Sequence, residues 1–241
     1  MKKVLPFLLS LAGVLAATDA RAQMLEWKDR GFVDLSGGFQ SGKTDASSTL
    51  SFPLYDETAT LETARELGSS PLWDVTAGLR VWGNLAVAVS VSGRMANGDA
   101  VATTIVPDPV FYDQPRSVEA PITGMKHSEL AGSLLAAWVF PVTDQLEFTA
   151  MVGPTAVRVS HEAVKGVTIT EGTPPTVAVG LETLSKSVWG YTAGLDGRYA
   201  ITSRFGVGAF LRYSAATANL TSDLKLDVGG LQMGAGLRVR F

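Results

Sequence analysis

The chain has no cysteine, only two histidines, and no surplus of basic charge. Past its first residues it also lacks any apolar run of 18 or more. Without cysteine there is no disulfide and no thiol chemistry, so hydrogen bonding and packing alone must hold the fold. The histidines, His127 and His161, fall at expected strand–loop junctions, without the closely spaced company that a metal site needs. In His127-Ser128-Glu129 and Ser160-His161-Glu162 the residue types of a hydrolase occur side by side. Neighbours on a strand point to opposite faces, so neither trio assembles a triad locally. Twenty Lys and Arg against 23 Asp and Glu give no footprint for nucleic acid. Neither a P-loop nor a dinucleotide fingerprint is present, because the glycines of GLRVWGN and GVGAFLR read as strand positions. No catalytic residue, cofactor or metal is expected.

What is present begins with an export signal. Lys2 and Lys3 precede an apolar stretch from Val4 to Ala17, and Ala20-Arg21-Ala22 fits small-residue cleavage. The stretch is shorter than the roughly 20 residues of a spanning helix. Residues 1–22 are therefore expected to be removed, leaving residues 23–241 as one domain of net charge −5.

The apolar residues of that domain are spread by alternation. In LQMGAGLRVRF the odd positions Leu231, Met233, Ala235, Leu237, Val239 and Phe241 are apolar, and the even ones are Gln, Gly or Arg. A strand sends successive side chains to opposite faces, so one side is oily and the other small or charged. GFVDLSGGFQ, DVTAGLRVW, NLAVAVSVSGR, ELAGSLLAAWVF, LEFTAMVGP, WGYTAGLDGRY and FGVGAFLRY repeat the design, for eight strands in all. TAGLR, TAGLD and GAGLR echo one another without the regularity of a solenoid. After Pro154 the apolar parity shifts to Val157 and Val159, for which a bulge is the economical reading.

Tight connections at Gly83-Asn84, Pro141 to Asp144 and Thr202-Ser203 alternate with long ones at 41–72, 95–126 and 161–186 and a shorter one near 215–223. The expected fold is all-β, an eight-stranded antiparallel up-and-down transmembrane β-barrel. A soluble barrel around an apolar cavity alternates in the same way. The membrane version is favoured because glycine and alanine crowd the polar face, as a narrow lumen requires. Large aromatics also cluster near the turns on the apolar face, where Trp138, Phe140, Tyr199, Phe205 and Phe241 would form a girdle.

The terminal GLRVRF resembles the C-terminal assembly signal of bacterial outer-membrane barrels, and the strand run is similar to the OmpA-like eight-stranded family. DVTAGLRVWGNLAVAVSVSG, VGPTAVRVSHEAV and DVGGLQMGAGLRVRF resemble segments of outer-membrane β-barrel proteins of similar length. The resemblance implies location in a bacterial outer membrane. It also implies contact with its lipid, and recognition of Leu237, Val239 and Phe241 by the barrel-assembly machinery. It implies no particular activity, and the peptidoglycan-binding domain that follows the barrel in full-length OmpA relatives is not expected.

Charges of both signs are expected inside: Asp34, Glu129, Glu147 and Asp196 with Arg80, Arg158, Arg198, Arg212, Arg238 and Arg240. Buried charge is costly unless paired, so a filled, salt-bridged lumen is expected, with an arginine–carboxylate ion gate as the rival. The long loops carry β-favouring patches around Tyr55-Asp56 and predict hairpins that project into the medium. Phe111 and Tyr112 between Pro109 and Pro115 are candidates for contact with an extracellular ligand. The expected roles are structural and surface-presenting, with a small pore or carrier and an adhesin as alternatives, and the chain is expected to be a monomer.

Overall fold

A computed structural model of the chain describes residues 26–41, 44–172, 175–219 and 225–241. The expected signal, residues 1–22, lies outside the described residues. Ten strands follow in order: β1 (Gly31–Ser41), β2 (Thr44–Leu54), β3 (Glu57–Leu67), β4 (Ser70–Trp82) and β5 (Leu85–Val106). They continue with β6 (Arg116–Pro141), β7 (Leu146–Thr170), β8 (Thr176–Ala200), β9 (Phe205–Asn219) and β10 (Lys225–Arg240).

Eight of them close a ring, β1-β4-β5-β6-β7-β8-β9-β10, with every pairing antiparallel. The last strand completes it, pairing from Phe32↔Arg240 to Ser41↔Leu231. Closure leaves no free edge in the ring, the arrangement that satisfies every ladder hydrogen bond internally. Strands β2 and β3 carry the β1–β4 hairpin upward to a two-residue turn at Tyr55 and Asp56, both at positive φ. Beyond the bulk of β4, β3 rejoins the wall by pairing with β5 from Thr60↔Ile105 to Ala64↔Val101. Much of what reads as long loop is thus strand, because β5 to β8 run 22 to 26 residues each.

The alternation sets the sidedness. Leu237 is 59% exposed on the outer wall, whereas Arg238 is 0% exposed inside. Glycine lines the interior where large groups need its space. A Cβ on Gly208 would stand 2.8 Å from Arg238 Nε, and one on Gly78 would run into the Phe32 ring.

The bulge expected at Pro154 is not formed. Ser133↔Thr155 and Ala136↔Val152 keep one register, as do Gly153↔Thr192 and Thr155↔Gly190. Proline gives up a ladder donor without shifting the strand. The parity stays constant and the interior changes instead: Val157 and Val159 point inward into an apolar cluster with Ala218 and Val228.

Candidate functional site

The barrel interior is built in layers that follow from which even or odd positions each strand turns inward. At the tight-turn end Trp27, from the segment before β1, packs with Phe32, Leu135, Val139 and Met151. Its backbone N–H donates to Asn84 Oδ1, and Asn84 Nδ2 donates to the Val139 carbonyl. This apolar plug covers the charged layer above it.

That layer holds most of the expected charge network. Arg238 donates from Nε and Nη2 to the two Asp196 oxygens at 3.0 and 2.7 Å, and from Nη1 to Ser36 Oγ at 2.8 Å. Arg240 joins Asp34 at 2.7 Å to Glu147 at 2.6 Å and lies 4.9 Å above the Phe32 ring centroid. Arg198 approaches Glu147 at 3.6 Å. Next, Arg212 donates to Asp74 Oδ2 at 2.7 Å and to the hydroxyls of Thr76 and Ser90, which themselves donate to Asp74. Forked guanidinium–carboxylate pairing of this kind is what makes buried charge tolerable. Beside it a hydroxyl chain runs Ser133–Thr155–Thr192–Ser214, at 2.7 to 2.8 Å per step.

Higher still, His127 and His161 face each other across β6 and β7, with Nδ1 atoms 3.3 Å apart. Nε2 of His127 is 2.8 Å from Glu129 Oε1, and Gln40, itself bonded to Gln232, donates to Glu129 Oε2. Arg94 lies 3.1 Å from Glu129. The expectation that the histidines lack company is corrected here: hairpin pairing supplies it. Still, no group of three or more His, Asp, Glu or Cys among the described residues is placed to hold a metal ion. Ser128 and Ser160 point the other way, and Ser160 hydrogen-bonds Ser185 on the outside.

Of the expected network, eight members lie buried inside and two do not. Arg158 is exposed on the outer wall, because without a bulge its even position on β7 faces outward. Arg80 is half-buried at the turn end and donates to the Trp27 carbonyl rather than to a carboxylate. Asp74 and Arg94, missing from the expected set, belong to it. Among the described residues the lumen then buries five arginines (94, 198, 212, 238, 240) and five carboxylates (34, 74, 129, 147, 196). It is formally neutral.

Outside, Trp138, Phe140, Tyr199, Phe205 and Phe241 are exposed around the turn end. A second exposed aromatic row, Phe39, Trp73, Trp189, Tyr191 and Tyr213, was not anticipated. From Tyr199 to Trp189 on β8 is ten residues, about 33 Å of strand at about 3.3 Å each and about 25 Å of height at a tilt near 40°. Exposed side chains between the rows are apolar, including Leu79, Val89, Leu134, Leu195, Leu211 and Leu237.

At the far end the hairpin tips are tied together. Arg116 holds both Glu171 oxygens at 2.9 and 3.0 Å, and Tyr55 donates to Glu171 at 2.9 Å. The Arg116 guanidinium and then the Tyr55 hydroxyl hold the Glu171 carboxyl below its ordinary range. Asp108 is likewise held low, by the backbone N–H groups of Val110 and Phe111. Phe111 and Tyr112 are exposed at this tip. Beneath it Leu61, Ala102, Ile122 and Met125 form a third apolar cluster, which explains why the extensions are ordered strands.

These features define a closed, filled, up-and-down β-barrel. No family model matches the chain, and no curated protein matches it in sequence. Solved structures similar to it include Neisserial surface protein A, at 16% identity over 88% of this chain and 97% of that one, with a TM-score of 0.41. Ail, the attachment invasion locus protein of Yersinia pestis, is 14% identical over 87% of this chain and 99% of that one, with a TM-score of 0.36. The outer-membrane protease OmpT of Escherichia coli is 11% identical over 90% of this chain and 98% of that one, with a TM-score of 0.44. The likeness is one of fold alone.

Proposed function

We propose that the chain is a monomeric outer-membrane β-barrel, exported by its N-terminal signal, that works as a sealed cylinder presenting its projecting hairpins to the medium. The outer wall supports this: an apolar band about 25 Å tall between two aromatic rows matches the hydrocarbon core of such a membrane. The observation that carries the sealed reading is the interior, where five arginines and five carboxylates are locked against each other between apolar layers. A neutral, occupied lumen gives ions neither a path nor a selecting field. The last strand, with outward Leu237 and Phe241, is the part offered to the assembly machinery. The reading assigns no catalytic step.

The test is planar-bilayer recording of the refolded protein. The expected result is insertion without steady conductance steps. Stable ohmic openings would replace this reading with that of a small pore. A surface-binding role is favoured by one observation, the exposed Val110, Phe111 and Tyr112 on a tip braced by Arg116 and Glu171. Deletion of residues 108–116 should then abolish surface binding while leaving barrel assembly intact.

A further inference from the structure

The β7–β8 hairpin outgrows the ring. Pairing of β8 with β9 reaches no higher than Gly190↔Ala216, and pairing of β7 with β6 no higher than His127↔His161. Above these points the β7–β8 ladder runs on by itself to Thr170↔Thr176. The inner face of this extension lays Val164, Val167 and Val179 on Leu61, Ile122 and Met125. Its tip is tied through Glu171 to Arg116 and Tyr55. Its base forks away from β6 where the two histidines meet.

At the fork the imidazole rings stand edge to face, with centroids 5.5 Å apart and Nδ1 atoms 3.3 Å apart. His127 is 1% exposed and His161 3%. A contact of this kind needs one nitrogen that carries a proton and one that does not. The pair therefore accommodates at most one imidazolium, because two would set N–H against N–H. Glu129 accepts from His127 Nε2 at 2.8 Å, but the same carboxylate already faces Arg94 at 3.1 Å. Around the pair β1 and β10 present uncharged Gln40 and Gln232, and β7 presents Val159 and Ala163. Opposite His161, β8 places Leu184 between Glu182, which pairs with Lys165 at 3.3 Å, and the exposed Lys186. Apolar clusters lie below, at Val157 and Val228, and above, at Ile122 and Met125. A second positive charge at this height is costly unless water reaches it.

We propose that the histidine pair is an acid-released latch: one shared proton holds the base of the β7–β8 extension to β6, and a second proton parts the fork. The open fork binds more protons than the closed one, so falling pH favours opening. Histidine ordinarily changes charge between about pH 5 and 8, above the range in which Glu171 loses its hold on the tip. Release thus starts at the base. The paired arginine layers lie below the fork and stay closed.

The test is amide hydrogen exchange of the wild-type protein in maltoside micelles at about pH 7.5 and about pH 5, near the two ends of the histidine range. Rates are corrected for the intrinsic effect of pH. The reporter is the Lys126 amide, which donates to Glu162 Oε2 at 2.7 Å across the fork. NMR of isotopically labelled ring nitrogens counts the protons on the only two histidines of the chain. The expected result is at most one imidazolium at the higher pH and two at the lower, with corrected exchange at Lys126 about tenfold faster or more. The Val139 amide, bonded to the Asn84 carbonyl low in the barrel, should not change. His161→Gln and His127→Gln keep a polar side chain but take up no proton, so each should lose the acid effect at Lys126. Heat-modifiable gel migration reports whether each variant barrel is intact. Retention of the acid effect in both variants overturns the latch. Three outcomes in the wild type alone also overturn it: two imidazolium rings already at the higher pH, no second one at the lower, or a second one that leaves Lys126 exchange unchanged.

Discussion

Replacing Arg238 by methionine keeps most of the apolar stem and removes the guanidinium with its charge. In the native barrel this guanidinium is fully buried, makes two hydrogen bonds to Asp196 and one to Ser36, and has Asp34 at 3.9 Å. Without it the Asp196 carboxylate is stranded in the interior. Removing one partner of a buried pair costs about 3–5 kcal/mol, most of it from the charge left behind. Methionine leaves little cavity, so the packing contribution is small. In the double variant Arg238→Met, Asp196→Asn the stranded charge is gone, and lost hydrogen bonds account for about 1–2 kcal/mol. The double variant should thus be more stable than the Arg238→Met single one. Urea unfolding in phospholipid vesicles, followed by tryptophan fluorescence and gel migration, measures both. A cost below about 1 kcal/mol for the single variant would refute the claim that paired charge seals the lumen. So would strict additivity of the two changes.

Gly208→Ala places a Cβ 2.8 Å from Arg238 Nε and tighter still against the Gly197 carbonyl; unfolding in urea should show a loss of about 1–3 kcal/mol. Gly37→Ala, where nothing lies within 4 Å, should be near neutral in the same assay. At the hairpin tips, Glu171 and Asp108 titrate below their unfolded values, so the stability they contribute is present above the ordinary carboxylate range and lost as pH falls through their folded values. Amide protection of Val110 and Phe111, which donate to Asp108, should hold from pH 8 to about 5 and fall below about pH 4; constant protection down to about pH 2 would contradict this.

The fold was legible because a period of two is hard to mistake over eight segments, and because tight and long connections alternate. The terminal LQMGAGLRVRF alone predicts the sidedness now seen at Leu237 and Arg238. Two features were hidden by reading strands one at a time. Val157 and Val159 looked like a change of parity, whereas the interior itself becomes apolar at their height. That misplaced Arg158. The His127–His161 pair is a property of the hairpin: the short turn after Pro141 makes residues whose numbers sum to 288 opposite one another. Extending that register from Pro141↔Glu147 down both strands reaches the two histidines, so the signal was available. Arg94 had a plainer signal: it ends NLAVAVSVSGR on the same even parity as the inward Ala88 and Ser90, and pairing of β5 with β6 sets it opposite Glu129.

The central claim is that lipid touches the odd-numbered face of β10 and never the even one. A phospholipid carrying a diazirine in its acyl chain, photolysed around the reconstituted wild-type protein and mapped residue by residue, reads this directly. Adducts should fall on Met233, Ala235 and Leu237, with the same pattern at Leu79, Val89 and Leu211, and spare Gln232, Arg238 and Arg240. Labelling of Phe32 and Leu135 in preference to Leu237 would mean that the oily wall is not the outer surface, and the account would fail.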